Sequence, residues 1–124
     1  MKPRQSQIRA REFEVEDLGR QLRLFDQMIA DLREIREELD RQVTVEEDRT
    51  GVRDPSHFAY STVARAARDR RRKLDASIAD LSDRRGAVET RLAEAEAKLE
   101  ALRAEAEEDH RTFARPLEHR YQVA

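Results

Sequence analysis

The chain has 124 residues, of which 42% are charged and 5% aromatic, and its formal net charge is -2 at pH 7. Hydrophobic residues make up only 38%, which is too few for a thick globular core but enough for the narrow apolar seam between two long helices. No cysteine occurs, which excludes disulfides, a thiol nucleophile and a cysteine-based zinc site, and the charge balance gives no bulk basic field that would favour nucleic acid.

The first predicted element is a helix from about Pro3 to about Asp48. The segment RTGVRDPS, residues 49–56, contains the only convincing interior break. Gly51 can adopt a positive φ and end the helix. We therefore predict a turn over residues 49–54.

A second helix is predicted from about Pro55 to about Arg115, followed by a tail over residues 116–124. Asp54 can cap this helix, with Pro55 at its first position. The N-terminus lacks the apolar core of a signal peptide, and no run approaches the roughly 20 apolar residues of a membrane span. We expect a soluble, cytoplasmic protein.

Heptads whose a and d positions are mostly apolar run through both predicted helices without a slip, which favours a coiled coil. In the first helix these positions are Ile8, Arg11, Val15, Leu18, Leu22, Phe25, Ile29, Leu32, Arg36, Leu39, Val43 and Glu46. In the second they are Tyr60, Ala64, Ala67, Arg71, Leu74, Ile78, Leu81, Arg85, Val88, Leu92, Ala95, Leu99, Leu102, Ala106, Asp109 and Phe113. The predicted fold is an all-α, two-helix antiparallel coiled-coil hairpin forming a single domain.

The position of the predicted turn sets the register between the helices. Centring the hairpin between Gly51 and Val52 pairs Leu22 with Leu81, Ile29 with Leu74, Leu32 with Arg71 and Arg36 with Ala67. Stems of seam arginines such as Arg71 can cover the apolar layer while their guanidinium groups reach water or a carboxylate such as Glu37 or Asp69.

In this register residue 4 faces residue 99, so the chain beyond about Glu100 forms a C-terminal overhang. It carries the seam residues Leu102, Ala106, Phe113, Leu117 and Tyr121. Such an unpartnered stripe is either a binding surface or a frayed end.

Two aromatic residues lie just after the turn, in SHFAY. Tyr60 falls on the seam, where it can plug the end of the hairpin against Val43 and Val45. Phe58 lies off the seam and is expected to face a partner or the turn.

The run RDRRRK, residues 68–73, is the most basic stretch, and Arg65 lies close to it. Acidic residues flank the run, so a solvated, salt-bridged face is the favoured interpretation. A patch for an acidic protein surface comes next, and nucleic acid last, because no aromatic residue interleaves with the run.

Enzyme signatures are missing from the sequence. It has no glycine-rich phosphate loop, and His57, His110 and His119 lack the spacing of ligands on a helix. We predict a protein without catalytic residues, cofactor or metal.

The segments IRAREFEVEDL, MIADL and LDRQVTVEEDRTGVRDPSHFAYSTVARAARDRRRKLDASIADL resemble the flagellar export protein FliJ family, in its alphaproteobacterial versions. The likeness covers most of residues 8–81, and DPSHFAY is its most distinctive piece. The resemblance implies a two-helix coiled coil, similar to the stalk of rotary ATPases, in the bacterial flagellar type III protein export apparatus. It places the protein in the cytoplasm, peripheral to the inner membrane at the flagellar base, with a role in motility.

The resemblance also implies partners: the hexameric flagellar export ATPase, whose assembly and activity the family promotes, the cytoplasmic domain of the export gate, and export chaperones. Carried onto this chain, the end with both termini would enter the ATPase ring, through residues that include Ile8, Arg11, Phe13, Val15, Leu92 and Leu99. The half near the turn would face the export gate through Leu39, Val43, Phe58, Tyr60, Val63 and Ala67.

Two other interpretations remain open from the residues alone. A structural coiled-coil scaffold could self-associate through Leu24, Met28 and Ile35 beside Leu99 and Leu102. A nucleic-acid-binding hairpin would use residues 65–73, with a steep salt dependence.

Overall fold

A computed structural model describes the backbone of residues 3–123 and the side chains of residues 3–112. It contains two long helices packed against each other, α1 (Pro3–Thr50) and α2 (Thr62–Val123). The described backbone forms no strand. The predicted all-α, two-helix hairpin is therefore confirmed.

The end of α1 lies two residues beyond the predicted position, and Gly51 ends it. Its φ of 73° is in the left-handed region, which glycine adopts without a Cβ clash. The Gly51 amide donates a hydrogen bond of 2.8 Å to the Glu47 carbonyl, and the Thr50 hydroxyl donates one of 3.0 Å to the Glu46 carbonyl. These bonds satisfy carbonyls of the last helical turn.

The predicted start of the second helix at Pro55 is wrong, because Ser61 and not Asp54 is the capping residue. Ser61 Oγ accepts a hydrogen bond of 3.2 Å from the Ala64 amide, and the Arg65 amide donates one of 3.0 Å to the Ser61 carbonyl. This is the arrangement of a helix N-cap. Residues 51–61, hereafter the connection, are consequently longer than the predicted turn.

At the C-terminal end, α2 continues to Val123, so the prediction of a tail from residue 116 is wrong. The helical backbone includes the positions of Phe113, Leu117 and Tyr121, whose side chains lie outside the described residues. Their predicted exposure as an unpartnered stripe stays a prediction.

The chain divides into two compact units. We call residues 1–21 with 88–124 the terminal unit, and residues 22–87 the connection unit. The apolar core follows the predicted heptads in both. In the terminal unit it comprises Leu18, Val88, Ala95 and Leu99, and in the connection unit Ile29, Leu39, Tyr60, Ala64, Ala67 and Ile78.

Three seam arginines of the connection unit form ion pairs across the two helices. Arg36 Nη1 lies 3.2 Å from Asp75 Oδ1, and Arg71 Nε lies 2.6 Å from Asp40 Oδ1. Arg85 Nε binds the Asp26 carboxylate. All three arginines are half-buried, so their stems cover the seam while their charges meet a carboxylate of the opposite helix.

These pairs show that the predicted register is wrong by about one heptad. Arg36 contacts Asp75, where the prediction placed Ala67, and Arg71 contacts Asp40, where it placed Leu32. A heptad pattern fits equally well after a slip of seven residues. The longer connection moves the centre of the hairpin to about residue 56, and this selects the slipped pairing.

The terminal unit departs from its predicted pairing in the same direction. Arg4 Nη1 donates a hydrogen bond of 3.3 Å to the Glu105 carbonyl and binds the Asp109 carboxylate, whereas the prediction placed residue 99 there. Leu102 and Ala106 are half-buried. An overhang beginning near Glu100 is therefore wrong.

Candidate partner-binding surfaces

The connection presents an aromatic side chain on a hydrogen-bonded backbone. Phe58 is 96% exposed and stacks on His57, with ring centroids 4.7 Å apart. The Ala59 amide donates a hydrogen bond of 3.0 Å to His57 Nδ1, and the His57 amide donates one of 3.0 Å to the Asp54 carbonyl. Phe58 is therefore held outward by its neighbours, as the sequence predicted for a residue off the seam.

Tyr60, two residues later, is only 4% exposed. Its hydroxyl donates a hydrogen bond of 2.8 Å to Glu47 Oε2, and the Arg65 guanidinium lies 5.5 Å from its ring centroid. The predicted seam position of Tyr60 is confirmed. Val45, one of its predicted neighbours, is instead 63% exposed.

The start of α2 is tied to the end of α1 by a carboxylate. Glu46 Oε2 accepts a hydrogen bond of 2.8 Å from Ser61 Oγ and one of 2.7 Å from Arg49 Nη2. The bond from Arg49, and then that from Ser61, lowers the pKa of Glu46. One carboxylate thus links the last turn of α1 to the capping residue of α2.

Asp54 organises the first half of the connection. Its Oδ1 accepts hydrogen bonds of 3.0 Å from the Ser56 amide and 2.8 Å from Ser56 Oγ, and these bonds lower the pKa of Asp54. Such a bond from a side chain to the backbone two residues on stabilises a turn. Asp54 therefore shapes the loop in place of its predicted role as a helix cap.

The basic run near the start of α2 is largely paired with acids. Arg68 Nη1 lies 3.9 Å from Glu47, and Arg72 Nη2 lies 3.3 Å from Asp69. Arg65 Nη2 donates a hydrogen bond of 3.0 Å to the Pro55 carbonyl. These contacts agree with the favoured prediction of a salt-bridged face.

The site residues predicted for the connection unit divide by exposure. Leu39, Tyr60 and Ala67 are buried in the seam and Val43 is half-buried, while Phe58 and Val63 are exposed. A partner docking on the folded hairpin here would therefore meet Phe58 and Val63. Seam membership, which the heptads predicted, decides which of these side chains lie on the surface.

The terminal unit shows the same division. Leu99 is buried, and Ile8, Arg11, Val15 and Leu92 are half-buried. Phe13 is 66% exposed and is the predicted site residue of this unit that a partner could reach most fully. The polar links at Glu46, Glu47 and Ser61 were not predicted, since they depend on where α2 begins.

Neither helix, over the residues that the structure describes, is apolar enough along its length to cross a membrane. Within the same residues, no group of three or more histidine, aspartate or glutamate side chains is arranged to hold a metal ion. Comparison of the chain with protein-family models, curated proteins and solved structures finds no match.

Proposed function

We propose that this protein is a non-enzymatic adaptor of the flagellar type III protein export apparatus, which binds the export ATPase and the export gate. One observation supports this most directly. DPSHFAY, the segment that most resembles the FliJ family, forms residues 54–60 of the connection, where Phe58 is almost fully exposed. An exposed aromatic residue on a hydrogen-bonded backbone suits protein recognition, since aromatic side chains often anchor interfaces.

The two units offer separate surfaces for the two main partners. Phe13 of the terminal unit contacts the hexameric ATPase, and Phe58 with Val63 of the connection unit contacts the cytoplasmic domain of the gate. Escort of export chaperones is a further role under this proposal. The protein acts in the cytoplasm, at the inner membrane of the flagellar base.

The experiment is a binding assay against each purified partner by size-exclusion chromatography, with Phe13→Ser and Phe58→Ser as matched variants. Both side chains are exposed, so neither substitution removes core packing. We expect Phe13→Ser to weaken ATPase binding only, and Phe58→Ser to weaken gate binding only, each by about tenfold or more.

Wild-type protein that is folded by circular dichroism but binds neither partner would refute the adaptor role. Binding of both partners with no difference between the variants would keep the role and refute the assignment of surfaces. A structural coiled-coil scaffold would be the better account in the first case.

A further inference from the structure

The two edges of the seam differ within the connection unit. Each of four ion pairs between the helices of this unit has a carboxylate or an arginine at heptad position e. Their members are Asp26 with Arg85, Arg36 with Asp75, Asp40 with Arg71, and Glu47 with Arg68. We call this side the ion-paired edge.

The opposite side, at positions g and c, we call the open edge. It carries the exposed large aliphatic side chains of this unit. They are Leu24, Met28, Ile35 and Val45 on α1 and Val63 on α2, which are between 43% and 64% exposed. The stripe from residue 24 to residue 45 extends over roughly 30 Å of helix. Asp31, Glu38 and Gln42 lie between these apolar side chains, so the open edge is an alternating apolar and polar surface.

The α2 side of the open edge has a different composition. Its exposed positions carry the small residues Ala66, Ser77 and Ala87 between the basic residues Arg70, Lys73 and Arg84. The exposed charges on the α1 side are instead the acidic residues Asp31 and Glu38. The α1 half of the edge is bulky and acidic, and the α2 half is mainly small and basic, apart from Val63 and Asp80.

Contacts between the helices show which residues of α1 and α2 lie at the same height along the helix pair, that is, level with each other. Ile35 and Glu38 of α1 line the same groove as Lys73 and Ser77 of α2, over a floor that includes Leu74. Three of the four bulky positions of α1 consequently lie level with a small position of α2, in the order Leu24 with Ala87, Ile35 with Ser77, and Val45 with Ala66. Met28 lies level with Arg84. Glu38 lies level with Lys73.

From this pattern we infer that a second copy of the chain covers the open edge, with a two-fold axis parallel to the helices of the connection unit. This operation places α1 of each copy over α2 of the other at the same level. Leu24, Ile35 and Val45 then meet small residues. Glu38, which also binds Arg41 of its own helix at 2.6 Å, meets Lys73 twice, once on each side of the axis. Asp31 comes level with Asp80, whose charge is offset by Arg84 at 3.1 Å.

A two-fold arrangement with α1 of one copy against α1 of the other would bring the two acidic α1 sides together and the two basic α2 sides together. Charge complementarity therefore favours the arrangement with α1 of each copy over α2 of the other. The covered stripe is about three helical heptads long, which puts the interface at the small end of specific interfaces. We therefore expect a reversible dimer that forms at roughly 10–100 µM.

This inference goes beyond the export role and does not depend on it. The dimer uses side chains of the open edge, which include Val63 of the proposed gate surface, whereas Phe58 lies off this edge. Leu99 and Leu102, which the sequence had suggested as part of a self-association stripe, are buried and half-buried in the terminal unit and take no part.

Sedimentation equilibrium of the whole protein between about 1 and about 200 µM tests the dimer. Ile35→Glu should weaken it about a hundredfold, because the change buries two unpaired carboxylates at one interface. Phe58→Glu is the matched control, an exposed apolar side chain away from the open edge, and should leave dimerisation unchanged. Circular dichroism on each variant checks that the helices persist.

Charge exchange between copies tests the orientation. Glu38→Lys alone and Lys73→Glu alone should each weaken the dimer about tenfold, since each sets like charges together twice. Mixing the two variants should restore dimerisation, because both contacts of the mixed dimer are then between opposite charges. A protein that stays monomeric to 200 µM, or a dimer insensitive to Ile35→Glu, would overturn the proposal, and failure of the mixture to recover would overturn its geometry.

Discussion

At the residue scale, one glycine and one serine decide where α1 ends and where α2 begins. Gly51 ends α1 through its positive φ, and Ser61 starts α2 by capping the Ala64 amide. Asp54 and Pro55 had the better helix-start pattern in the sequence. Asp54 instead bonds to Ser56 within the loop, which is the competing use of an aspartate that local sequence cannot distinguish from a cap.

Loss of the Ser61 cap should destabilise the protein measurably. Ser61→Ala removes the acceptor of the Ala64 amide and the donor to Glu46, and we expect it to cost about 1–2 kcal/mol in the free energy of unfolding. Urea denaturation followed by circular dichroism measures this cost. Ser82→Ala, an exposed mid-helix change, is the control and should be neutral or slightly stabilising.

The Glu46 carboxylate makes part of the stability depend on pH. Its pKa is lower in the folded chain than the ordinary 4.5, so the folded state gains stability where Glu46 is ionised, above about pH 4.5, and loses it as the pH falls through the lowered pKa. Glu46→Gln should therefore reduce the drop in thermal midpoint between about pH 7 and about pH 3. Arg49→Gln should reduce it more than Ser61→Ala, because the bond from Arg49 is the larger cause. Equal drops in all the variants would contradict this assignment.

At the element scale, the helices themselves were predictable and their pairing was not. The a and d residues between Tyr60 and Ala106 are all buried or half-buried, because side chains at heptad spacing share one face of the helix and that face packs against the other helix. The register depends on the length of the connection, and the length of the connection depends on which residue caps α2. The error at Ser61 thus became a slip of about one heptad in the predicted pairs.

A double-mutant cycle measures the register directly. Arg71 and Asp40 are about half-exposed, so we expect a modest coupling of about 0.3–1 kcal/mol between them. The matched cycle pairs Arg71 with Asp31, which lies beside Leu32, the residue that the predicted register placed opposite Arg71. Coupling to Asp31 with none to Asp40 would support that earlier register and contradict the structure.

At the scale of the whole molecule, the proposed assignment of separate surfaces to the ATPase and the gate follows from the exposure of the side chains. Of the twelve residues suggested as partner contacts by the family resemblance, the most exposed are Phe13, Phe58 and Val63, while the rest stabilise the seam or lie at its margin. The sequence could rank these positions because seam membership is periodic. It placed Phe58 off the seam but did not predict what holds it there, which is stacking on His57 and the Asp54 turn.

The open edge was only partly foreseeable. Leu24, Met28 and Ile35 stand out in the sequence as leftover apolar residues. Their small and basic counterparts on α2 become visible only once the register is known, since a shift of one heptad changes which side chains share a level. The charge complementarity that favours a second copy therefore could not be recognised from the sequence alone.

We propose that this helix pair acts on an export ATPase without hydrolysing ATP itself. The measurement that tests it most directly is ATP turnover by the cognate flagellar export ATPase, with and without about 1–5 µM of this protein, a range below the expected dimer. We predict a several-fold stimulation that Phe13→Ser abolishes and Phe58→Ser leaves intact. Unchanged turnover in the presence of folded protein, with no complex between the two, would contradict the account.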